Sequence, residues 1–216
     1  MQAVRVAAEI LRDEVAALIP ALLRDCKQID WIYNPLEYAW APHEEWIRRF
    51  AGNGAKTLLV GMNPGHGMGN TGVPFGCPEQ VREFLAITDL DVHQPSPAHP
   101  KRVVYGLECP KPEVSGRRIW SFLAEHYGTP EAVSEDIYIV NHCPLWMFND
   151  AGQNITPDKL TGSAAERLKE ICNRHLRTVV TEMGITRVIG VGRYAQRQAA
   201  SLFNEVDVDW VPHPSP

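Results

Sequence analysis

Residues 57–76 read TLLVGMNPGHGMGNTGVPFG: a short leucine- and valine-rich run that breaks into a loop punctuated by Gly61, Gly65, Gly67, Gly69, Gly72 and Gly76. An apolar run this short, closed at once by glycine and proline, predicts a buried strand feeding a loop whose backbone can approach a ligand closely. Residues 136–140 (DIYIV), 187–191 (RVIGV) and 206–211 (VDVDWV) have the same character. The runs at 57, 136 and 187 are almost continuously apolar, as parallel strands covered on both faces require. The last alternates Val206, Val208 and Trp210 with Asp207 and Asp209, which predicts an edge strand or one with a wet face. Helical periodicity lies between these runs. The fold class is therefore α/β: one domain on a central four-stranded, mainly parallel sheet flanked by helices.

Each predicted strand runs directly into an unusual segment. After the first comes the glycine-rich loop, after the second Asn141-His-Cys-Pro-Leu145, after the third Gly192-Arg193, and after the last Pro212-His-Pro-Ser-Pro216. Open parallel sheets bind ligands beyond the carboxyl ends of their strands, so these motifs are expected on one rim.

Outside the strands, residues 3–23 place Val4, Ala7, Ala8, Leu11, Val15, Leu18 and Leu22 at near-helical spacing and predict an amphipathic helix. Residues 31–42, aromatic and interrupted by proline, predict an ordered loop, followed by a short helix at 43–50. Further helices are expected at 78–87, at 115–126 with Ser115 as N-cap, at 163–183 and at 193–203. In the third of these, Ser163 and Glu166 have capping-box spacing and Gly184 stands where a C-cap glycine belongs. Residues 94–100 (QPSPAHP) predict a surface loop. There is no repeat or low-complexity segment, and residues 1–216 read as a single domain.

The chain has 216 residues, 44% hydrophobic and 22% charged, an ordinary balance for a globular protein. Arg5, Glu9, Arg12, Asp13 and Glu14 interrupt the first apolar stretch, so it is not expected to span or engage a membrane. With no signal-peptide layout, an intracellular protein is predicted: in the nucleoid-bearing cytoplasm of a bacterium or the nucleus of a eukaryote. Five scattered cysteines, none in a CxxC pair, argue against a disulfide framework or a metal site. The net charge of −5 does not advertise nucleic-acid binding. Binding to DNA would need positive charge gathered on one face, and Lys101-Arg102, Arg117-Arg118 and Arg193 to Arg197 are the local clusters; each alone also reads as solvated surface.

The rim residues each allow two readings. The glycine-rich loop is neither GxxxxGK[ST] nor a well-placed GxGxxG, so it matches a phosphate loop poorly. Asn63 could orient a water or cap its own turn. Phe75 could stack on a flat ring or belong to the core. Asn141 carries both a donor and an acceptor, which suits the edge of uracil, or it caps a strand end. His213 is held extended between Pro212 and Pro214, presented to a ligand or satisfied within the protein. Gly192 and Arg193 open a helix whose N–H groups could bind a phosphate, or they simply join strand to helix.

At these positions the sequence resembles the single-strand-selective monofunctional (SMUG-type) branch of the uracil-DNA glycosylase superfamily. The similarity runs from about Tyr33 onward through YNPLEYAWAPH, LLVGMNPG, TGVPFG, HPKRVVYGLECP, EVSGRRIW, NHCPL, NITP, GVGR and HPSP. The pairing of GMNPG with a late HPSP is specific to that branch. The resemblance implies a DNA-repair glycosylase that removes uracil, and oxidised or deaminated bases besides. Asn63 would position the hydrolytic water and His213 would support negative charge on the leaving base. Met62 and Gly65 would line the pocket through their backbone, Phe75 would stack on the extruded base and Asn141 would read its edge. Gly192, Arg193, Ser115, Arg117 and Ser215 are the residues expected against DNA. His66-Gly67 departs from the family's proline-aromatic pair, in a loop one residue shorter. The family continues past HPSP with a segment that wedges into the duplex.

Asn63 cannot act as a general base, because an amide takes no proton near neutrality. No motif lysine invites Schiff-base chemistry, so a monofunctional hydrolase is expected, without metal or cofactor, acting as a monomer on single- or double-stranded DNA. Two other readings are a non-catalytic damaged-DNA binding module on the same fold and a nucleotide hydrolase. The second lacks a complete phosphate loop and an acidic metal cluster.

Overall fold

The computed structural model describes residues 1–111 and 113–215. Its centre is a sheet of β2 (Thr57–Gly61), β3 (Ile137–Asn141), β6 (Arg187–Val191) and β7 (Asp207–Val211), in the order β3-β2-β6-β7. All three pairings are parallel. The four strands expected from the sequence are these, with boundaries moved by one residue at β3 and β7. Strand β7 does lie at an edge. Asp207 and Asp209 face water there and pair with Arg187 of the neighbouring strand, at 3.3 and 3.4 Å.

The sheet is covered by apolar side chains from several helices. Leu58 and Val60 of β2, Tyr138 and Ile139 of β3 and Val188 of β6 share one buried cluster with those helices. Among them are α3 (Trp40–Phe50), α6 (Val114–Tyr127), α8 (Ser163–Met183) and α9 (Arg193–Leu202). Trp46 anchors it, stacked on Tyr138 at 5.4 Å and edge-on to Trp120 at 5.6 Å. Helix α1 (Gln2–Asp25) turns Val4, Ala7, Ala8, Leu11, Val15 and Leu22 inward and lies along α8. All five cysteines are buried and free.

Several local expectations give way to tertiary context. Residues 31–42 are not a loop: they form β1 (Trp31–Tyr33), α2 (Pro35–Tyr38) and the start of α3. Strand β1 pairs antiparallel with β4 (Trp146–Phe148), and β4 with β5 (Asn154–Ile155). The pairing brings Tyr33 edge-on to Trp146 and Phe148. Asn34 caps α2 by accepting from Leu36 N, and Pro35 opens it, so the prolines start helices here instead of excluding them. Ser115 is not the cap of α6; Glu113 is, its carboxylate accepting from Ser115 N and Gly116 N. Ser163 already lies inside α8 and Gly162 takes the cap position, so no capping box forms. Gly184 does close α8, in the left-handed conformation at φ 62°.

The remaining helices are α4 (His66–Thr71), α5 (Pro78–Glu83) and α7 (Pro130–Asp136). Helix α5 ends earlier than expected, before Ala86, whose φ is 51°.

Three histidines in this framework are pushed far below their ordinary pKa. His43 Nδ1 donates to Gly72 O at 2.8 Å, and burial lowers its pKa to about 4. His142, 2.8 Å from Asn173 Oδ1, is likewise lowered to about 4 by burial, and His175 to about 3. All three stay neutral in the fold, while in the unfolded chain they take up protons as pH falls through 6.5. Their contribution is complete above pH 6.5 and is lost as pH falls from there to about 4. The urea midpoint should be flat above about pH 7 and fall steeply toward pH 5, where each histidine costs roughly 1–2 kcal/mol. A midpoint unchanged between pH 7.5 and 5 would show that the histidines are not held neutral.

Candidate active site

The carboxyl ends of β2 and β3 are in register, with Gly61 opposite Asn141. The stitching continues past the strands: His142 N donates to Gly61 O and Cys143 N to Met62 O, both at 2.9 Å. On the far side Val191 pairs with Val211, and Gly192 N donates to Val211 O at 2.8 Å. All four motif segments therefore leave the sheet on one edge.

Between them lies a cavity of about 260 Å³. Met62, Asn63, Gly65, Phe75, Asn141 and His213, every residue expected at a base-binding or catalytic position, line it. Ser115 and Ser215 line it as well. Glu113, Asn154 and Thr156 join them and were not anticipated, although they stand in the EVSG and NITP segments.

Three expected residues are not in the cavity wall. Arg193 stacks its guanidinium over Trp210 at 3.5 Å and donates to Gln196 Oε1. Arg117 faces Glu79 across 3.9 Å. Gly192 backs the site, since a Cβ there would stand 3.7 Å from His213 Cβ. His66 also turns away from the cavity, its Nε2 3.4 Å from Cys109 Sγ and its ring edge-on to Trp146. Pro216, the last residue of HPSP, lies outside the described residues.

The hydrogen bonds decide which polar atoms remain free for a ligand. Asn63 Nδ2 is 3.2 Å from Pro64 O and 3.3 Å from Leu145 O. Two carbonyl partners fix the amide orientation and leave Oδ1 as an acceptor for a water O–H. Asn141 is nearly buried and donates from Nδ2 to Met68 Sδ at 3.1 Å, a weak partner that a better acceptor can replace. Phe75 takes a positive φ of 52°, a conformation a bulky residue adopts only when its surroundings impose it. Its ring lies 6.3 Å from that of His213 at a tilt of 41°.

Two glycines make this packing possible. A Cβ on Gly61 would overlap Asn141 Oδ1 and come within 2.7 Å of Phe75 Cζ, and one on Gly116 would overlap Phe75 O.

Electrostatically the lining is nearly neutral. It contains no lysine or arginine among the described residues, and its one carboxylate is Glu113. Burial raises the Glu113 pKa, against the opposing pull of the Gly116 and Ser115 N–H groups. Partial burial lowers the pKa of His213 below the ordinary imidazole value, which favours the neutral ring, a donor and an acceptor at once. Such a cavity can hold a flat ring against Phe75, pair its edge with the Asn141 amide, hold a water on Asn63 and donate from His213 to charge that develops on the ring.

The family model described as the uracil DNA glycosylase superfamily matches residues 49–216. The single-strand selective monofunctional uracil DNA glycosylase of Bos taurus is 43% identical over 190 residues, covering 86% of this chain and 70% of that protein. The protein of that name from Rattus norvegicus is also 43% identical over 190 residues, covering 86% and 68%. In fold, the chain is similar to the crystal structure of wild-type Pedobacter heparinus SMUG2. The TM-score is 0.59 at 21% identity, with 85% of this chain and 77% of that one covered.

The packing around Gly61 can be tested against its neighbour Gly65, whose added Cβ would meet nothing within 4 Å. Gly61→Ala should cost about 1–3 kcal/mol in urea unfolding, as overpacking does. Gly65→Ala should stay within about 0.5 kcal/mol of the parent. Equal effects of the two substitutions would show that Gly61 is not a packing constraint.

Proposed function

We propose, from the premise that this chain belongs to the uracil DNA glycosylase superfamily, that it hydrolyses the N-glycosidic bond of uracil in DNA and leaves an abasic site. The observation that carries this reading is the convergence of Asn63, Phe75, Asn141 and His213, from three separate strand ends, on one cavity. Oxidised and deaminated bases are further candidate substrates of the same cavity.

The base must leave the stack to reach this cavity, which costs a few kcal/mol and less in single strands or mismatches. Phe75 recovers part of that cost by stacking and Asn141 by pairing with the edge of the ring. As the C1′–N1 bond breaks, its electron pair passes to N1 and spreads over the ring carbonyls. His213 donates a hydrogen bond to that growing negative charge. Deleting a donor of this kind elsewhere costs about 100- to 1000-fold in rate. The water held on Asn63 Oδ1 delivers its oxygen to the sugar cation at C1′, and its proton leaves with solvent or the departing base. Asn63 orients and does not deprotonate, since the sugar cation is electrophile enough for neutral water. No step calls for a metal, a cofactor or a lysine adduct.

The protein is acidic overall, so contact with the phosphate backbone falls to local features of the rim. Ser115 and Ser215 at the mouth, with Gly192, Arg193 and Arg117 outside it, are the proposed DNA-contacting residues. We place the enzyme as a monomer wherever genomic DNA lies, in the nucleoid or the nucleus.

Base release from a single-stranded uracil oligonucleotide tests the roles separately. His213→Ala should slow release by about 100- to 1000-fold. Asn63→Ala should slow it measurably and leave residual activity. Failure of the parent protein to release uracil would refute the function. An unimpaired His213→Ala would refute the role given to the leaving group.

A further inference from the structure

The segment carrying His213 is poorly held by its own backbone. It leaves the edge strand β7 after Val211, and Pro212 and Pro214 have no N–H to offer a neighbour. Among the described residues, just two hydrogen bonds reach residues 212–215, and one side chain makes both. Arg118 Nη1 donates to Pro214 O and to Ser215 O, each at 3.0 Å. Arg118 stands on the second turn of α6, the helix whose start supplies Glu113 and Ser115 to the cavity and supports Phe75 through Gly116. Its neighbour Arg117 faces a carboxylate, whereas no ion pair of Arg118 occurs among the described residues.

We propose that Arg118 is a positioning residue: its guanidinium ties the Pro-Ser end of the HPSP segment to α6 and thereby holds the His213 imidazole against the cavity beside Phe75.

This role rests on the reading of His213 as the donor to the leaving base. It differs from both readings that the sequence allowed for the Arg117-Arg118 cluster, solvated surface or positive charge facing DNA. A cation that serves the DNA backbone acts independently of His213. A cation that serves the protein's own carbonyls acts through His213 and has nothing to do once the imidazole is gone. Ångström-scale misplacement of a catalytic group by a distant change can cost up to about 100-fold in rate.

The test is a double-mutant cycle in the full chain, on a single-stranded uracil oligonucleotide. Arg118→Ala should lower kcat by about 10- to 100-fold, with KM little changed. In the His213→Ala background the same substitution should have no further effect. An equal loss in both backgrounds, or a loss confined to KM, would overturn the proposal in favour of a DNA contact. A second readout needs no activity. The His213 Hε1 resonance, assigned by its disappearance in His213→Ala, carries the ring-current shift of Phe75 in the parent. It should move toward the value of free histidine in Arg118→Ala, and an unmoved resonance would overturn the proposal. If the parent protein releases no uracil while this resonance still moves, the clamp stands and the glycosylase reading falls.

Discussion

The site depends on the contact between a glycine with no side chain and the amide that fills its place. Gly61 ends β2 directly opposite Asn141 at the end of β3, and Asn141 Oδ1 and the Phe75 ring both occupy the space a Cβ would take. Parallel register puts the two strand ends level; the missing Cβ lets the amide and the ring close over them. With a Cβ at Gly61 the two segments would still leave the sheet at one height, but the Asn141 amide and the Phe75 ring could not keep their places over them. Phe75 accepts a φ of 52° in this arrangement, so local backbone energy is spent on aiming a ring, the pattern expected where geometry serves a ligand.

Around that contact the cavity is built of neutral groups whose spare bonding capacity has been narrowed in advance. Carbonyls occupy the donor side of Asn63, and partial burial shifts His213 toward its neutral form. A neutral lining suits a reaction in which charge appears at the transition state: fixed dipoles cost little to the uncharged bound base and interact strongly once it carries the departing electrons. A cationic lining would bind ground-state phosphates instead. That separation is consistent with an acidic protein acting on DNA, with its arginines outside the cavity wall and its chemistry left to amide and imidazole.

Much of this was legible in the chain because the strands are short, apolar and immediately followed by their motifs. The runs TLLVG and RVIGV carry their own boundaries, and the alternation of Asp207 and Asp209 with Val208 and Trp210 pointed to a strand at an edge or with a wet face. The small antiparallel sheet was not legible. Trp31–Tyr33 and Trp146–Phe148 are each too short to show a period, and they become strands only because the chain returns one against the other. Proline misled for a related reason: Pro35 looked like a breaker, but with Asn34 before it the pair is a helix start. Glu113 escaped notice because a glutamate beside a helix start reads as a solvated charge. Its place in the cavity follows from the approach of α6 to Phe75, a contact between segments some forty residues apart.

The two halves of the site are held by different means, and the difference follows from their composition. Asn63 and Asn141 sit on backbone stitched by regular hydrogen bonds, so the sheet itself fixes them. His213 sits between two prolines, which restrict its backbone angles and leave His213 and Ser215 as the only backbone donors of residues 212–215, neither of them hydrogen-bonded among the described residues. A stiff segment with few donors is held here through its carbonyls, and a carbonyl handle requires a donor from elsewhere. A guanidinium offers several N–H groups in a fixed plane at the end of a long side chain, so one residue on a neighbouring helix can take two successive carbonyls. The same prolines that keep His213 extended thus make its placement depend on a side chain outside the cavity wall. Helix α6 thereby becomes the element through which the glycine-rich loop and the C-terminal motif are kept in mutual register.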